Sequence, residues 1–317
     1  MFNTDEKSLS DKRVKIGRAV KKPINKNRAV FIIGGIFFPI VSFFVFYVYV
    51  NTSSFVLAFQ DNRTKEFTFN NFLAVFESLK DTNGTLRIAL FNTFKYFAKD
   101  IAMMFLNLIF SFFIYKKILG WKFYRIVFYL PAIIPGLCLA ACFAEFIKPN
   151  GPVGVVMEMI GRPLPVEGLL QNSLTATPIL IFFTIWTGFT GMLFYHGALA
   201  RIPVEVIEAA KLDGCTPFRE CFSIILPLIW PTFATMLIIS MAGIFGASGP
   251  ILYFTQGKFE TTTLAYWMFT EVYGNGTFGG TGTYGTISAA GMVFTAIGLP
   301  IILFTKWLTE KVPVVEY

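Results

Sequence analysis

The chain has 317 residues, of which 55% are hydrophobic and only 15% are charged, and its mean hydropathy is +0.61. Soluble domains carry about 25% charged residues, so this composition excludes an ordinary soluble domain and predicts a polytopic membrane protein. Much of the formal net charge of +8 comes from a basic tail at residues 1–29. We interpret this tail as a membrane-surface anchor and not as a nucleic-acid-binding segment.

Six apolar segments follow this tail, and each is close to the ~20 residues that cross a ~30 Å hydrocarbon core as a helix. The first segment is not a secretory signal, because a polar tail of 29 residues precedes it and its apolar run is too long. We predict transmembrane helices at Val30–Val50, Phe91–Tyr115, Ile126–Ile147, Leu174–Tyr195, Leu226–Phe245 and Tyr284–Phe304.

The distribution of Lys and Arg indicates which connections between these helices face the cytoplasm. Eighteen basic residues fall in one set of alternate connections and seven fall in the other set. The set with more basic residues is predicted to be cytoplasmic, so both termini are expected on the cytoplasmic side of the cell membrane. It comprises residues 1–29, 116–125, 196–225 and 305–317, and the external set comprises 51–90, 148–173 and 246–283.

The sequence offers no recognisable catalytic or metal-binding constellation. Its four cysteines lack any CxxC or His/Cys metal spacing, and we interpret the single histidine, His196, as structural. The stretch Gly274–Gly285 contains GxGxxG twice, but a loop precedes it and a membrane helix follows it, so we interpret it as an external loop. The chain has no GxxxxGK followed by Ser or Thr, and therefore no nucleotide-binding P-loop of its own.

Charged residues interrupt the outer half of the second predicted span. Lys95 and Lys99 are four residues apart and share a helix face, and Asp100 lies beside them. Long side chains near a helix end reach water by snorkelling, which is one interpretation. The other is that this face lines a wet substrate pathway, because a charge at mid-bilayer costs about 2.5–3.5 kcal/mol on insertion scales. The sequence leaves both interpretations open.

The polar loop between the fourth and fifth spans predicts two short helices. Pro203 suits the first turn of a helix, and Glu208 suits the positive N-terminal half of that helix. Gly214 provides a stop in the left-handed conformation, and Thr216 restarts a helix as N-cap. Because apolar residues lie on several sides of the first helix, we expect both the membrane domain and a second protein to cover it.

This loop resembles the EAA loop of ABC importer permeases, which reads EAA, three residues, Gly, nine residues, Ile, one residue and Leu-Pro. Every spacing is met by Glu208-Ala209-Ala210, Gly214, Ile224 and Leu226-Pro227, and Asp213 precedes the glycine. The stretches RIVFYLPAIIPG and TTTLAYWMF are also similar to parts of the sugar-permease branch. The resemblance is to permeases of maltose, multiple-sugar and glycerol-phosphate importers, and it covers residues 30–317.

The resemblance implies an all-α fold with six spans in the type I ABC importer arrangement, in the cell membrane of a prokaryote. Such permeases pair with a related sister permease, two cytoplasmic ATPase subunits and an external substrate-binding protein. ATP and Mg would then bind to partner subunits, so this chain is expected to hold no cofactor and to be no enzyme. The implied organisation is a first helix at 30–50, an external loop at 51–88, a core at 89–307 and a cytoplasmic tail at 308–317.

Within the core, the resemblance makes residues 203–227 the coupling loop that docks into a groove of an ATPase subunit. The residues that it assigns to this docking are Glu208, Ala209, Ala210, Asp213, Gly214 and Pro227.

The implied substrate is a carbohydrate, with an oligosaccharide favoured. Sugars contact aromatic faces and polar groups in a mixed lining, which makes Trp186, Thr187 and Asn107 candidates for the pathway, together with Lys95 and Lys99. Packing within the helix bundle is the alternative role for each of the first three.

Two other functions remain open at this point. An ABC permease for a non-sugar solute would carry the same motif. A stand-alone secondary transporter would keep ionisable groups at mid-membrane and often shows inverted repeats, whereas the deep spans here are almost free of charge and show no convincing repeat.

Overall fold

A computed structural model describes residues 26–61, 64–82, 84–274 and 284–313. The N-terminal tail before Lys26, most of the GxGxxG loop and the last four residues lie outside this described part. Over the described ranges the regular structure is helical, and the one β feature there is an isolated bridge between Gln60 and Phe67. The prediction of an all-α protein is confirmed.

The chain divides into two units, residues 1–54 and 55–317. In the described part of the first unit, helix α1 (Lys26–Ser42) passes through a π-helical segment (Phe43–Tyr49) into helix α2 (Val50–Ala58). The 29 residues of Val30–Ala58 have a hydropathy of 2.4, which reflects an almost unbroken run of Phe, Ile, Val and Tyr. The first predicted span lies within this stretch.

The second unit consists of helices joined by short turns, and its longest helix, α4, has 31 residues. Short 3-10 turns at Leu169–Gln171 and Gly188–Gly191 and a π-helical segment at Glu220–Ile225 connect some of them. The helices are α3 (Asn70–Lys80), α4 (Thr85–Tyr115), α5 (Trp121–Ile133), α6 (Gly136–Phe146), α7 (Pro152–Met159), α8 (Ser173–Thr187), α9 (Met192–Leu199), α10 (Val204–Leu212), α11 (Pro217–Arg219), α12 (Leu226–Leu228), α13 (Trp230–Ala242), α14 (Ile251–Phe254), α15 (Leu264–Tyr273) and α16 (Tyr284–Glu310).

Four stretches of the described chain are helices long and apolar enough to cross a membrane, and two bent helix pairs raise the number to six. The third predicted span is divided into α5 and α6, whose axes differ by 109°. At the predicted fifth span, Pro217–Leu228 of the polar loop and α13 form a pair bent by 84°. The four unbroken stretches are Val30–Ala58, Thr85–Tyr115, Ser173–Leu199 and Tyr284–Glu310.

Proline accounts for the first of these bends. Ile134 ends α5 in an extended conformation (φ −81°, ψ 136°), as expected for a residue directly before a proline. Pro135 then precedes α6 and supplies no N–H to continue the earlier helix. The predicted span Ile126–Ile147 therefore corresponds to a bent pair of helices, broken at the Ile134-Pro135 step.

The largest buried cluster joins the C-terminal half of α4 to the polar loop. Leu108 and Phe112 of α4 pack with Tyr195 and Leu199 of α9. Between helices in a membrane, such contacts stabilise the fold mainly through close van der Waals packing. Both short helices of the loop contribute to the same cluster through Ile207, Cys221 and Ile225.

A second cluster fixes the other end of α4. Leu86 and Ala89 pack against Trp267 of α15 and against Ala289 and Ala290 of α16. Small residues allow helix backbones to approach closely in a membrane bundle. Helix α4 is therefore held at both ends, with the polar loop at one of them.

Candidate functional site

Helix α10 of the polar loop begins and ends as the sequence predicts. Pro203 precedes it in an extended conformation (φ −58°, ψ 139°), and Glu205 lies in its first turn. It ends at Asp213, and Gly214 follows with φ +67°. The predicted left-handed conformation of Gly214 is confirmed.

Two hydrogen bonds close this helix in a Schellman motif. The N–H of Gly214 donates to the carbonyl of Lys211 at 3.1 Å, and the N–H of Cys215 donates to the carbonyl of Ala210 at 3.1 Å. Both carbonyls lack partners in an open-ended helix. No heavy atom lies within 4 Å of a Cβ placed on Gly214, so backbone conformation alone disfavours a side chain there.

Helix α10 has one buried face and a broad exposed surface. Ile207 and Ala210, three residues apart, are both buried, and Ile207 belongs to the cluster with α4. Glu208 and Ala209 are exposed, and Leu212 at the helix end is 88% exposed. The surface turned away from the protein therefore combines acidic and apolar side chains. Its other exposed members are Val204, Glu205, Lys211 and Asp213.

The second half of the loop starts with Thr216 and Pro217. Thr216 occupies the N-cap position and Pro217 the first turn, as predicted, although the Thr216 side chain makes no capping hydrogen bond. The chain continues through the π-helical segment Glu220–Ile225 into α12. Pro227 is half-buried in α12, directly before the bend at Ile229.

A buried ion pair anchors this half of the loop to α4. Nζ of Lys116, the residue after α4, lies 2.5 Å from Oε2 of Glu220, whose side chain is 1% exposed. The Lys116 ammonium also lies 5.2 Å from the centre of the Phe112 ring. Sequence reasoning missed this pair, because the two residues are 104 positions apart and nothing local connects them.

The structure separates the residues predicted to line a substrate pathway. Asn107 is buried, and its Nδ2 donates to the carbonyl of Gly188 at 3.2 Å, which gives it a contact between helices. Thr187 Oγ1 donates to the carbonyl of Phe183 at 3.0 Å, within its own helix. Trp186 is 39% exposed and belongs to an aromatic cluster.

In this aromatic cluster, the Trp186 ring stacks on Phe143, with centroids 6.3 Å apart and planes at 28°. Phe183 lies edge-on to Trp186 at 6.1 Å, and Phe254 contacts both phenylalanines. Phe183 is buried and Phe143 and Phe254 are half-buried, so Trp186 is the ring of this cluster that is exposed.

The two lysines of α4 have different surroundings. Lys99 forms an ion pair with the neighbouring Asp100. Lys95 donates to Oδ1 of Asn92 at 3.1 Å and lines a cavity of about 500 Å³. Lys95 therefore borders a cavity, a position that fits both snorkelling to water and a place on a substrate pathway.

The described residues contain no group of three or more His, Cys, Asp or Glu side chains placed to hold a metal ion.

A family model described as the inner membrane component of binding-protein-dependent transport systems matches residues 108–313. This range contains the whole polar loop and four of the six candidate spans in full. It begins after Lys95 and Lys99.

Individual relatives are similar over much of the chain. The sn-glycerol-3-phosphate transport system permease protein UgpA of Shigella flexneri is 26% identical over 250 residues, which are 77% of this chain and 80% of the relative. The diacetylchitobiose uptake system permease protein NgcF of Streptomyces coelicolor is 32% identical over 127 residues, or 39% of this chain and 36% of the relative.

A solved structure has the same fold. In the crystal structure of a bacterial ABC transporter involved in the import of the acidic polysaccharide alginate, one chain superposes with a TM-score of 0.72 and 22% identity. The match covers 89% of this chain and 96% of the other. This likeness confirms the predicted type I arrangement of helices.

Proposed function

Because this chain belongs to the family of inner membrane components of binding-protein-dependent transport systems, we propose that it is a permease subunit of an ATP-driven importer for a carbohydrate. An oligosaccharide is the favoured cargo. UgpA and NgcF are named as permease proteins for sn-glycerol-3-phosphate and diacetylchitobiose, and the similar crystal structure belongs to an importer of a polysaccharide. Family membership replaces the hypothesis of a stand-alone secondary transporter.

One observation carries the proposal: the exposed helix α10 is fixed to the membrane core and turns an unpartnered surface outward. Ile207 packs in the buried cluster with α4, and Ala210 is buried on the same side of the helix. Glu208, Ala209 and Leu212 are left exposed. A helix that displays acidic and apolar side chains together fits a groove on another protein better than a lipid surface, which favours a basic polar face.

We assign the partner in that groove as an ATPase subunit. This chain has no P-loop, so uphill transport requires ATP hydrolysis on another chain that biases a two-state membrane element. Two such subunits, a related sister permease and an external binding protein would complete the importer. In this arrangement α10 lies on the cytoplasmic side and both termini are cytoplasmic.

A non-sugar solute is the second candidate, and the similarity to a glycerol-phosphate permease favours it. The two candidates share the same coupling loop and differ only in the cargo.

The test is to purify the intact complex through a tag on this chain and reconstitute it in vesicles with its binding protein. We expect ATPase subunits to co-purify and a carbohydrate-loaded binding protein to stimulate both ATP hydrolysis and uptake. Uptake that proceeds without ATP would contradict the proposal. Stimulation by non-sugar solutes alone would leave an ABC permease but would change its cargo.

A further inference from the structure

The cavity beside Lys95 lies where α4, the beginning of α8 and the turn around Glu260 meet. Its volume is about 500 Å³, within the ~300–1,000 Å³ of small-molecule sites. The lining residues on α4 precede the range that matches the family model.

One stripe of α4 forms the first wall. Arg87, Phe91 and Lys95 are spaced by four residues, and Asn92 lies beside them, so all four share one helix face. Arg87 and Lys95 are separated by two helical turns, about 12 Å along the axis. The Arg87 guanidinium lies 5.9 Å from the centre of the Phe91 ring. The stripe thus presents a cation, an aromatic face and a second cation in sequence.

The two cations have no carboxylate partner among the described residues. Arg87 donates to the hydroxyl of Thr82 at 3.3 Å, and Lys95 donates to the amide oxygen of Asn92. The ion pairs of the described chain involve neither residue. Glu260 is the one carboxylate on the cavity wall, so the lining retains a formal excess of one positive charge.

Hydroxyl groups and a fixed turn complete the cavity. Ser173 and Thr177 of α8 form the second wall. On the third side, Nδ2 of Asn92 donates to the carbonyls of Glu260 at 2.6 Å and Thr262 at 3.0 Å. Asn92 is itself buried, so it ties the turn to the stripe and holds the cavity in shape.

We propose that this cavity binds the anionic group of an acidic carbohydrate on its way through the importer. Arg87 and Lys95 would meet a carboxylate or phosphate, Phe91 an apolar ring face, and Ser173 and Thr177 the hydroxyl groups. This inference rests on the proposed function and narrows its substrate to sugars that carry a negative charge. A neutral sugar would supply no counter-charge for the excess positive charge of this lining.

The test uses the complete importer, purified through a tag on this chain with its own partner subunits and binding protein. Uptake into vesicles is measured for three probes: a uronic acid oligomer, the same oligomer with its carboxylates reduced to alcohols, and a sugar phosphate. Arg87→Gln and Lys95→Gln remove the cations. Glu260→Gln removes the opposing charge, and Lys80→Gln is the matched control, because Lys80 is exposed at the end of α3.

We expect each cation variant to raise the KM for an acidic probe by about tenfold, the effect of losing one hydrogen bond to a charged group. Glu260→Gln should lower that KM, and Lys80→Gln should leave it unchanged. The KM for the reduced, neutral oligomer should be the same in the cation variants and in Glu260→Gln. Because the KM should rise in the cation variants and fall in Glu260→Gln, misfolding cannot explain both changes. The acidic probe with the lower KM shows whether the cavity prefers a carboxylate or a phosphate.

Three results would overturn the inference. Uptake of the neutral oligomer with rejection of both acidic probes would refute the acidic substrate and leave the proposed function intact. A variant effect seen with phosphatidylglycerol vesicles and absent with phosphatidylcholine vesicles would assign the cavity to a lipid headgroup. If no carbohydrate stimulates ATP hydrolysis, the inference and the proposed function fail together.

Discussion

Lys116 and Glu220 form a buried ion pair that joins the end of α4 to the second half of the coupling loop, with Nζ 2.5 Å from Oε2. The other carboxylate oxygen, Oε1, is buried without a hydrogen-bond partner in the described structure. The ammonium of Lys116 is therefore the main compensation for a charge that burial would otherwise make costly. The same helix carries Arg87 and Lys95 toward its other end.

Removing one member of this pair should destabilise the loop far more than removing both. We expect Lys116→Met to lower the free energy of unfolding by about 3–5 kcal/mol, because it leaves a buried charge uncompensated, while the apolar double replacement is nearly neutral. Thermal unfolding of the purified complex measures the stability of Lys116→Met, Glu220→Met and the double variant. A double variant whose loss of stability equals the sum of the two single losses would show that the pair carries no coupling energy.

The same variants separate folding from coupling. If the pair transmits movement between α4 and the loop, the double variant should fold and yet lose substrate-stimulated ATP hydrolysis. Full stimulation in the stable double variant would reduce the ion pair to a purely structural contact.

Glu208 is predicted to hold the ATPase subunit. Its side chain is exposed on α10, where it can meet a basic residue of a partner. We expect Glu208→Lys to weaken ATPase association by about tenfold, equivalent to 1.4 kcal/mol, and to abolish stimulated hydrolysis, with the permease still in the membrane. Glu158→Lys on α7 is the matched control, because Glu158 is equally exposed but lies outside the loop. Co-purification of the subunits measures both variants, and equal association would exclude the role of Glu208.

Gly214 offers a sharper test of loop geometry. At φ +67°, a β-branched side chain is strained by roughly 1–2 kcal/mol, whereas asparagine visits this conformation readily. Gly214→Val should therefore reduce stimulated ATP hydrolysis strongly, and Gly214→Asn should retain most of it. Because no neighbour fills the space beside Gly214, a steric clash cannot explain a difference. Equal activity of the two variants would mean that the left-handed turn is not needed for coupling.

The features predicted correctly from the sequence are those fixed by a few adjacent residues. Gly214 and Pro217 determine where the short helices end and begin, and the structure agrees with both. The apolar pattern predicts a span around Ile134 but not the size of its bend, because that pattern is the same whether the helix is straight or broken. Prolines are common in straight membrane helices as well, and Pro178 lies inside the unbroken α8.

The contacts that define the site depend on tertiary structure and could not be predicted in this way. The pair Lys116–Glu220 joins residues 104 positions apart. Nothing in the sequence near Lys95 indicates that Glu260 lies on the same cavity wall. Asn107 was a candidate for the pathway, yet its side-chain amide donates a hydrogen bond to the carbonyl of Gly188. The sequence alone does not distinguish an amide that pairs with a backbone carbonyl from one that binds a ligand.

The orientation of the chain is tested by cysteine labelling. Lys122 and Thr64 are both exposed, and the basic residues place Lys122 inside the cell and Thr64 outside. In a variant whose four native cysteines are replaced, an impermeant maleimide should label Thr64→Cys in intact cells and label Lys122→Cys only after lysis. Labelling of Lys122→Cys in intact cells would reverse the topology and remove α10 from the cytoplasmic side.

Trp186 and Asn107 should respond differently to substitution if only Trp186 contacts the cargo. Trp186 is partly exposed on the aromatic cluster with Phe143, so Trp186→Ala should raise the KM for uptake by about tenfold, in line with the 1–1.5 kcal/mol of a lost aromatic contact. Trp186→Phe keeps a flat apolar surface and should retain most of the affinity. Asn107→Leu removes a buried hydrogen bond to Gly188 and should lower thermal stability by about 1 kcal/mol with an unchanged KM. If the KM changed in Asn107→Leu and not in Trp186→Ala, Asn107 would be the residue that contacts the cargo and Trp186 would serve packing.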